Sequence, residues 1–404
     1  MITENKQHSV PEIRFKGFTN DWEQRELGEV TEVYDGTHQT PDYKHEGIMF
    51  LSVENIKTLQ SDKYISEEAF ENEFKVRPEK GDVLMTRIGD VGTANVITSS
   101  EPIAYYVSLA LLKKKALNPY FLQASIHSFA VQDEIWKRTL HIAFPKKINK
   151  NEIEKVPINF PSEEEQDKIG LFFKELDHLI TLHKRKLDGL VTLKDGFLQQ
   201  MFPAANEVMP RVRFAGFTGN WEERRLEEML TERNEQFEES EDYPLMSFVG
   251  NVGVVPKGEQ YDRSFLVKGD GKKYKKTELD DFIYSSNNLE TGSIGLNRTG
   301  KAVISPVYSI FYSSNDSESL FIGLLSKRKD FINKMIHYRQ GVMYGQWRIH
   351  ERDFLKIIVL TPTISEQNRI IDFFKNVDEQ IAAQTAKLEQ LRQLKAAYLQ
   401  RMFI

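Results

Sequence analysis

Few residues of this 404-residue chain stand in patterns that could make or break a covalent bond. Asn118-Pro119-Tyr120 has part of the Asn-Pro-Pro-Tyr of amino-methyltransferases but lacks the second proline, and no glycine-rich cofactor loop follows a strand. Asn before Pro at the head of an apolar run reads better as an N-cap followed by proline at the first helical position. Pro41-Asp42 with Glu73-Phe74-Lys75 has the bare form of a magnesium-dependent nuclease signature, but the separation is long. Glu-x-Lys also occurs idly at Glu4-Asn5-Lys6. There is no Walker A loop, so no ATP-driven motor is encoded. The nine histidines are scattered without metal-ligand spacing, and Gly89-Asp90-Val91-Gly92 reads as a turn rather than a phosphate cradle.

Side chains suited to holding nucleic acid are better represented. In the first half, His38, Tyr43, Lys44 and His45 share a polar stretch, Thr86-Arg87 closes an apolar run before the glycine-rich turn, and Lys146-Lys147 follows Pro145. In the second half, Lys272-Lys273-Tyr274-Lys275-Lys276 interleaves a ring with four cations, and Asn287-Asn288 offers two amides. Tyr344, Gln346, Trp347 and Arg348 fall within one turn. Arginine and lysine donate to guanine, and Asn or Gln pairs with adenine, so these are the residue types a major-groove reader needs. The bland reading of a lysine run is a solvated face, and Lys113-Lys114-Lys115 is read that way. Lys147 and Arg348 stand out by placement: each lies 14 residues before a proline, Pro161 or Pro362, that opens a long helical pattern.

Those helical patterns are one pattern written twice, over 161–202 and 362–403. Pro161-Ser162 with Glu165, and Pro362-Thr363 with Glu366, have the spacing of a capping box at a helix start. An apolar seam then steps 4-3-4-3 through Ile169, Phe173, Leu176, Ile180, His183, Leu187, Leu190, Lys194, Phe197 and Met201. The second copy runs through Ile370, Phe374, Val377, Ile381, Gln384, Leu388, Leu391, Lys395, Tyr398 and Met402. A mean spacing of about 3.5 residues keeps a seam facing a partner helix. In a parallel pair Lys194 would face Lys395. Turning one helix around sets each lysine against Leu176 or Val377, where its stem packs and its head reaches water. The expectation is an antiparallel coiled coil.

A second repeat precedes the first. Pro11 to Leu27 recurs as Pro210 to Leu226 with Arg-Phe, Gly-Phe-Thr, Trp-Glu and Arg-x-Leu in common; Trp22 and Trp221 read as anchors to a core. Between the repeats, short β-branched runs punctuated by Gly and Pro predict strands at 48–53, 82–86, 94–97 and 105–109, then a helix from 118 to about 137. The second half predicts strands at 243–255, 280–286 and 301–312 and a helix near 318–338. The fold class is α+β: two α/β-mixed recognition-sized domains, 1–160 and 203–361, alternating with the long helices 161–202 and 362–404. The chain has no cysteine, no apolar leader and no stretch approaching ~20 consecutive apolar residues, which suggests a soluble cytoplasmic protein. A formal net charge of −6 argues against a generic polycation but leaves room for a basic patch on one face.

The doubled order of Arg-Phe-x-Gly-Phe-Thr-x-x-Trp, variable domain and Pro-x-x-x-Glu-Gln-x-x-Ile helix resembles the specificity (S) subunit of type I restriction-modification systems over essentially the whole chain. Lys80-Gly-Asp-Val-Leu-Met-Thr-Arg-Ile-Gly89 is also similar to that family's target-recognition domains. The resemblance implies a non-catalytic DNA reader in which each target-recognition domain reads one half of a bipartite asymmetric site. It implies helices that act as a ruler and dock two methyltransferase subunits, to which restriction subunits add. S-adenosylmethionine, ATP and magnesium would then belong to the partners. The alternatives are a stand-alone site-specific nuclease or methyltransferase, and a coiled-coil scaffold without a DNA role.

Overall fold

The computed structural model describes residues 10–115, 117–250, 252–256, 273–290, 292–341 and 347–404. Its contacts divide the chain into two units: Met1–Arg185 with Gln384–Ile404, and Lys186–Ala383. Each unit therefore takes one α+β body, the first part of one long helix and the last part of the other.

The long helices are Glu163–Gln200 and Ile364–Arg401, 38 residues each. Every seam position is buried or half-buried, from Phe173, Leu176, Ile180, Leu187, Leu190 and Phe197 in the first to Phe374, Val377, Ile381, Leu388, Leu391 and Tyr398 in the second. Within the first unit the two segments run antiparallel: Phe172 meets Tyr398 edge-on, Lys395 pairs with Asp177, and His183 Nδ1 lies 2.8 Å from Gln384 Oε1. Within the second, Lys194 pairs with Asp378 while Phe197 meets Phe373. The direction expected from the two lysines holds, with one addition. Each lysine reaches past Leu176 or Val377 to the aspartate that follows it, so its charge has a partner as well as water.

The hydroxyl half of the expected capping box forms in the second copy, where Glu366 N–H donates to Thr363 Oγ1 at 3.4 Å, but in both copies the Glu arm goes to a stronger partner. Glu165 accepts from Arg14 Nε and Nη2, each at 2.7 Å, and Glu366 accepts from Arg213 Nε and Nη2 at the same distances. Both carboxylates are essentially buried, at 0% and 1% exposed, so they need a charged, bidentate partner more than a backbone N–H. The Arg of the lead-in repeat and the Glu of the helix repeat are thus one device, present twice. The neighbouring glutamines close the turn: Gln166 Nε2 donates to the Pro161 carbonyl at 2.9 Å and Gln367 Nε2 to that of Pro362 at 3.0 Å.

Each lead-in repeat ends in a strand that pairs antiparallel with the strand just before the long helix, Glu23–Glu26 with Pro157–Phe160 and Glu222–Arg225 with Ile358–Thr361. Trp22 packs edge-on between Phe121 and Phe403, and Trp221 packs against Phe202 and Phe321. Both indoles are core anchors, 6% and 3% exposed.

Each body is built on the same four-stranded antiparallel sheet. In the first unit its order is Glu32–Asp35, Leu109–Lys113, Val83–Thr86, Ala94–Val96; in the second it is Thr231–Glu232, Ser309–Tyr312, Phe282–Tyr284, Ile294–Leu296. A three-stranded sheet accompanies it in each: Tyr64–Ile65, Ile48–Leu51, Ile103–Tyr105 in the first and Gln236–Phe237, Tyr274–Thr277, Ala302–Ile304 in the second. The single strand expected at 105–109 is the junction of two, with Val107-Ser108 turning between them. The strand runs 243–255 and 301–312 likewise each divide in two, giving Met246–Val249 and Gly253–Pro256, then Ala302–Ile304 and Ser309–Tyr312. The helix expected at 118–137 is two, Pro119–His127 and Phe129–Arg138, because Ser128 leaves helical dihedrals to cap the second with its Oγ. The stretch near 318–338 also divides in two, into Asp316–Leu325 and Lys329–Ile336, there without a side-chain cap on the second helix. Asn118 caps as expected, its Oδ1 accepting from Tyr120 and Phe121 N–H.

Candidate nucleic-acid interface

In the first unit the chain leaves the helix Phe129–Arg138 and doubles back. Leu140 N–H donates to the Lys147 carbonyl at 2.7 Å, closing a hairpin whose two sides are Leu140 and Lys147. The returning side is fixed to the glycine turn: Gly89 N–H donates to the Lys146 carbonyl at 2.8 Å and Ile148 N–H to that of Arg87 at 2.9 Å. Gly89 and Gly92, at φ +82° and +93°, hold that turn where other residues are strained. Beneath it, Arg87 Nε donates to the Ile148 carbonyl at 3.2 Å while its guanidinium pairs with Asp35. The Trp136 ring contacts His141, centroids 3.9 Å apart, and carries the Lys146 ammonium 5.4 Å from its centroid. The result is a stem that presents Lys146 half-buried and Lys147 exposed.

The second unit has the same device at the same place. Gln340–Gly341 pairs antiparallel with Trp347–Arg348, which sets Arg348 where Lys147 stands in the first unit. The following Ile349, buried like Ile148, donates its N–H to Ser286 Oγ at 2.9 Å. Asn287 Oδ1 accepts from Trp347 N–H at 2.6 Å, so the loop after Phe282–Tyr284 carries Asn287 and Asn288 next to the hairpin. Arg339 lies 5.7 Å from the Trp347 ring centroid and is clamped by Glu290 at 2.7 and 2.8 Å. Arg348 keeps about half of its side chain in water, 54%, with Glu351 at 3.4 Å. Tyr344 and Gln346 lie outside the described residues.

Several expected contact residues are placed inside the fold instead. Thr86 is fully buried, exchanging hydrogen bonds with Thr93, and Arg87 is 6% exposed and spent on Asp35 and Ile148. They hold the hairpin rather than face a ligand. The lysine run fails as a patch because Tyr274–Thr277 is the central strand of its sheet and is covered on both faces. Tyr274 and Lys275 are buried, Lys275 Nζ donating to the Tyr308 carbonyl at 3.1 Å. Lys276 is held well above its ordinary pKa by its bond to Glu278, with Glu235 and Tyr243 adding to it. Lys273 remains exposed at the strand's start. His38, Tyr43 and Lys44 are exposed on one loop, where Tyr43 packs edge-on to Phe50 beneath the Lys63 ammonium and Lys44 pairs with Asp42. Trp136, His141 and Arg339 escaped sequence reasoning. The available signal for Trp136 was an aromatic on the polar face of a short helix.

Among the described residues no group of three or more His, Asp or Glu side chains is placed to hold a metal ion. No helix among them is long and apolar enough to cross a membrane. What the geometry does offer is one frame used twice, each copy presenting a cationic hairpin stem beside different neighbours. That is the arrangement of a duplicated binding module.

Residues 19–191 and 218–393 match the type I restriction modification DNA specificity domain, and the chain belongs to that family. A curated relative, the putative type I restriction enzyme MjaX specificity subunit of Methanocaldococcus jannaschii, is 24% identical over 209 residues. That match spans 49% of this chain and 49% of the relative, about half its length. Among solved structures, the type I restriction-modification system S subunit from M. genitalium superposes with a TM-score of 0.64 at 13% identity, covering 98% of this chain and 99% of that one. A chain from work on complex assembly and conformational transition of the type I R-M system gives 0.50 at 15% identity, covering 94% and 96%. At these identities the two likenesses speak for the fold.

Proposed function

We propose that this chain is the DNA-recognition subunit of a type I restriction-modification assembly, that each unit reads one half of a bipartite asymmetric site, and that it performs no covalent chemistry itself. The observation that carries the reading is the pair of equivalent hairpins, with Lys147 and Arg348 in the same register and unlike side chains around them. Copying the frame while varying its neighbours suits two half-sites of different sequence. Lys146 and Lys147 are the side chains to meet a phosphate or a guanine edge. Asn287 spends one lone pair on Trp347 N–H and keeps its amide donors for a base. Arg348 has the planar fork for a bidentate contact. His38, Tyr43, Lys44, Lys273 and Asn288 complete the candidate set.

The long helices are the ruler between half-sites and the dock for two methyltransferase subunits, to which restriction subunits add. S-adenosylmethionine, ATP and magnesium are assigned to those partners. The working compartment is the cytoplasm.

The test is retention of random duplex DNA by the purified chain with its methyltransferase subunit, followed as salt rises. A reader loses affinity with a log–log slope of about −0.9 per phosphate contacted and retains a bipartite sequence. Unselective or salt-indifferent retention would overturn the reading, as would cutting or methylation of DNA by the chain alone.

A further inference from the structure

The tip of the first unit's hairpin is built unlike its stem. Ile142 and Phe144 are 99% and 104% exposed, as open as side chains in an extended chain. Burying apolar side chains of this size is favourable, so the fold forgoes a gain by keeping them out. They are not on a loose loop. The stem below is bonded across from Leu140 to Lys147 and down to Arg87 and Gly89, and it is braced by the contact of Trp136 with His141 and Lys146.

Charge and area decide what this tip fits. Lys146 and Lys147 follow it directly, and neither has a carboxylate partner among the described residues. Of the nearby acids, Asp133 and Glu134 are engaged by Lys137 and Arg138, and Asp90, next to the Gly89 contact, accepts from Thr93 Oγ1 at 2.7 Å. The tip is therefore apolar points against a positive shoulder. Two side chains of this size offer on the order of 300–400 Å², below the roughly 800 Å² per partner of a standard protein interface. A step between stacked base pairs needs no more, and minor-groove proteins insert Phe or Ile there while cations hold the flanking phosphates.

We propose that Phe144, with Ile142 beside it, is a wedge that enters the duplex at one base step, with Lys146 and Lys147 on the adjoining phosphates. The proposal rests on the DNA-recognition reading above. It makes hairpin 140–147 a shape-reading element, favouring a step that unstacks easily.

The test uses the full chain with its methyltransferase subunit. The probe is a duplex carrying the site found by sequencing the methylated genome of a host expressing both, with 2-aminopurine at successive positions of each half. The wild type should raise the fluorescence at one step of one half-site. Phe144→Ala should abolish that rise and weaken binding about tenfold or more, the order expected for losing an aromatic–base stack. Its salt slope should stay unchanged, and Phe144→Leu should restore part of the rise. Lys147→Ala should keep the rise and lower the slope by about one. Melting temperatures of both tip variants should match the wild type, because the tip packs on nothing. Unchanged affinity and fluorescence in Phe144→Ala would overturn the wedge while leaving DNA recognition intact. Loss of the methyltransferase subunit with DNA binding retained would also overturn it, making the tip a protein dock. A wild type that binds no duplex would instead remove the DNA-recognition reading itself.

Discussion

Arg87, which holds the first unit's hairpin, and Lys147, which the hairpin presents, should fail in opposite ways when truncated. Arg87 is 6% exposed, donates to the Ile148 carbonyl at 3.2 Å and pairs with Asp35, whose side chain is 30% exposed. A hydrogen bond to a charged group contributes about 1.5–3 kcal/mol. A buried pair that loses one member costs about 3–5 kcal/mol. Because Asp35 keeps some water, Arg87→Ala should cost about 2–4 kcal/mol, discounted from the fully buried case. For a body of this size each kcal/mol moves the melting temperature by about 2–4 °C, so a fall of about 5–15 °C follows. Lys147→Ala removes an exposed side chain and should change stability by no more than about 0.5 kcal/mol. Its effect should appear in DNA retention, where affinity falls and the salt slope drops by about one. Calorimetry and salt-titrated retention on the same preparations separate the two. An Arg87→Ala protein that melts like the wild type but loses a unit of salt slope would refute the assignment, showing Arg87 on DNA.

Three further outcomes follow. Arg14→Met leaves Glu165 buried and unpaired and should cost about 3–5 kcal/mol, while the double change Arg14→Met with Glu165→Leu should recover most of it; denaturant unfolding of the wild type, both single changes and the double checks the coupling. His127, whose Nε2 accepts the Ala94 N–H, is pushed down to about 4 by burial, with Lys395 adding nearby positive charge. Its folded pKa lies below the unfolded value, so stability is full above about 6.5 and falls by at most about 3 kcal/mol toward pH 4. His127→Gln should flatten that part of the melting profile. Inserting one heptad into each long helix, in the seam's register, should lengthen the unread spacer by about 3 base pairs, since seven residues rise about 10.5 Å against about 3.4 Å per pair. Methylation-site mapping reads the spacer, and an unchanged value removes the ruler.

What the chain wrote twice could be read from it. The seam, its direction from Lys194 and Lys395, the Trp22 and Trp221 anchors and the shared register of Lys147 and Arg348 each rest on a pattern found in both halves. What the chain wrote once was harder. Arg87 looks like a surface cation until Asp35, 52 residues away, takes it inward. Lys275 looks like part of a basic patch until strand pairing turns it to the Tyr308 carbonyl. Ser128 breaks a helix because its own Oγ is a better cap than helix residue, a local competition that apolar periodicity does not register. The Glu165 and Glu366 carboxylates obeyed the capping-box spacing and still went to arginines about 150 residues away, because burial made the charge dominant.

On the proposed function, two unlike modules on one copied frame read two unlike half-sites. The most direct measurement exchanges one module and sequences the host's methylated genome. Leu27 N–H donates to the Val156 carbonyl at 2.8 Å where the first body leaves the strand-paired frame, so the exchange is cut at those residues. Replacing the segment between them with that of another family member should change one half-site and leave the other half-site and the spacer as they were. Change in both half-sites, or in neither, would show that the two modules do not read separate half-sites.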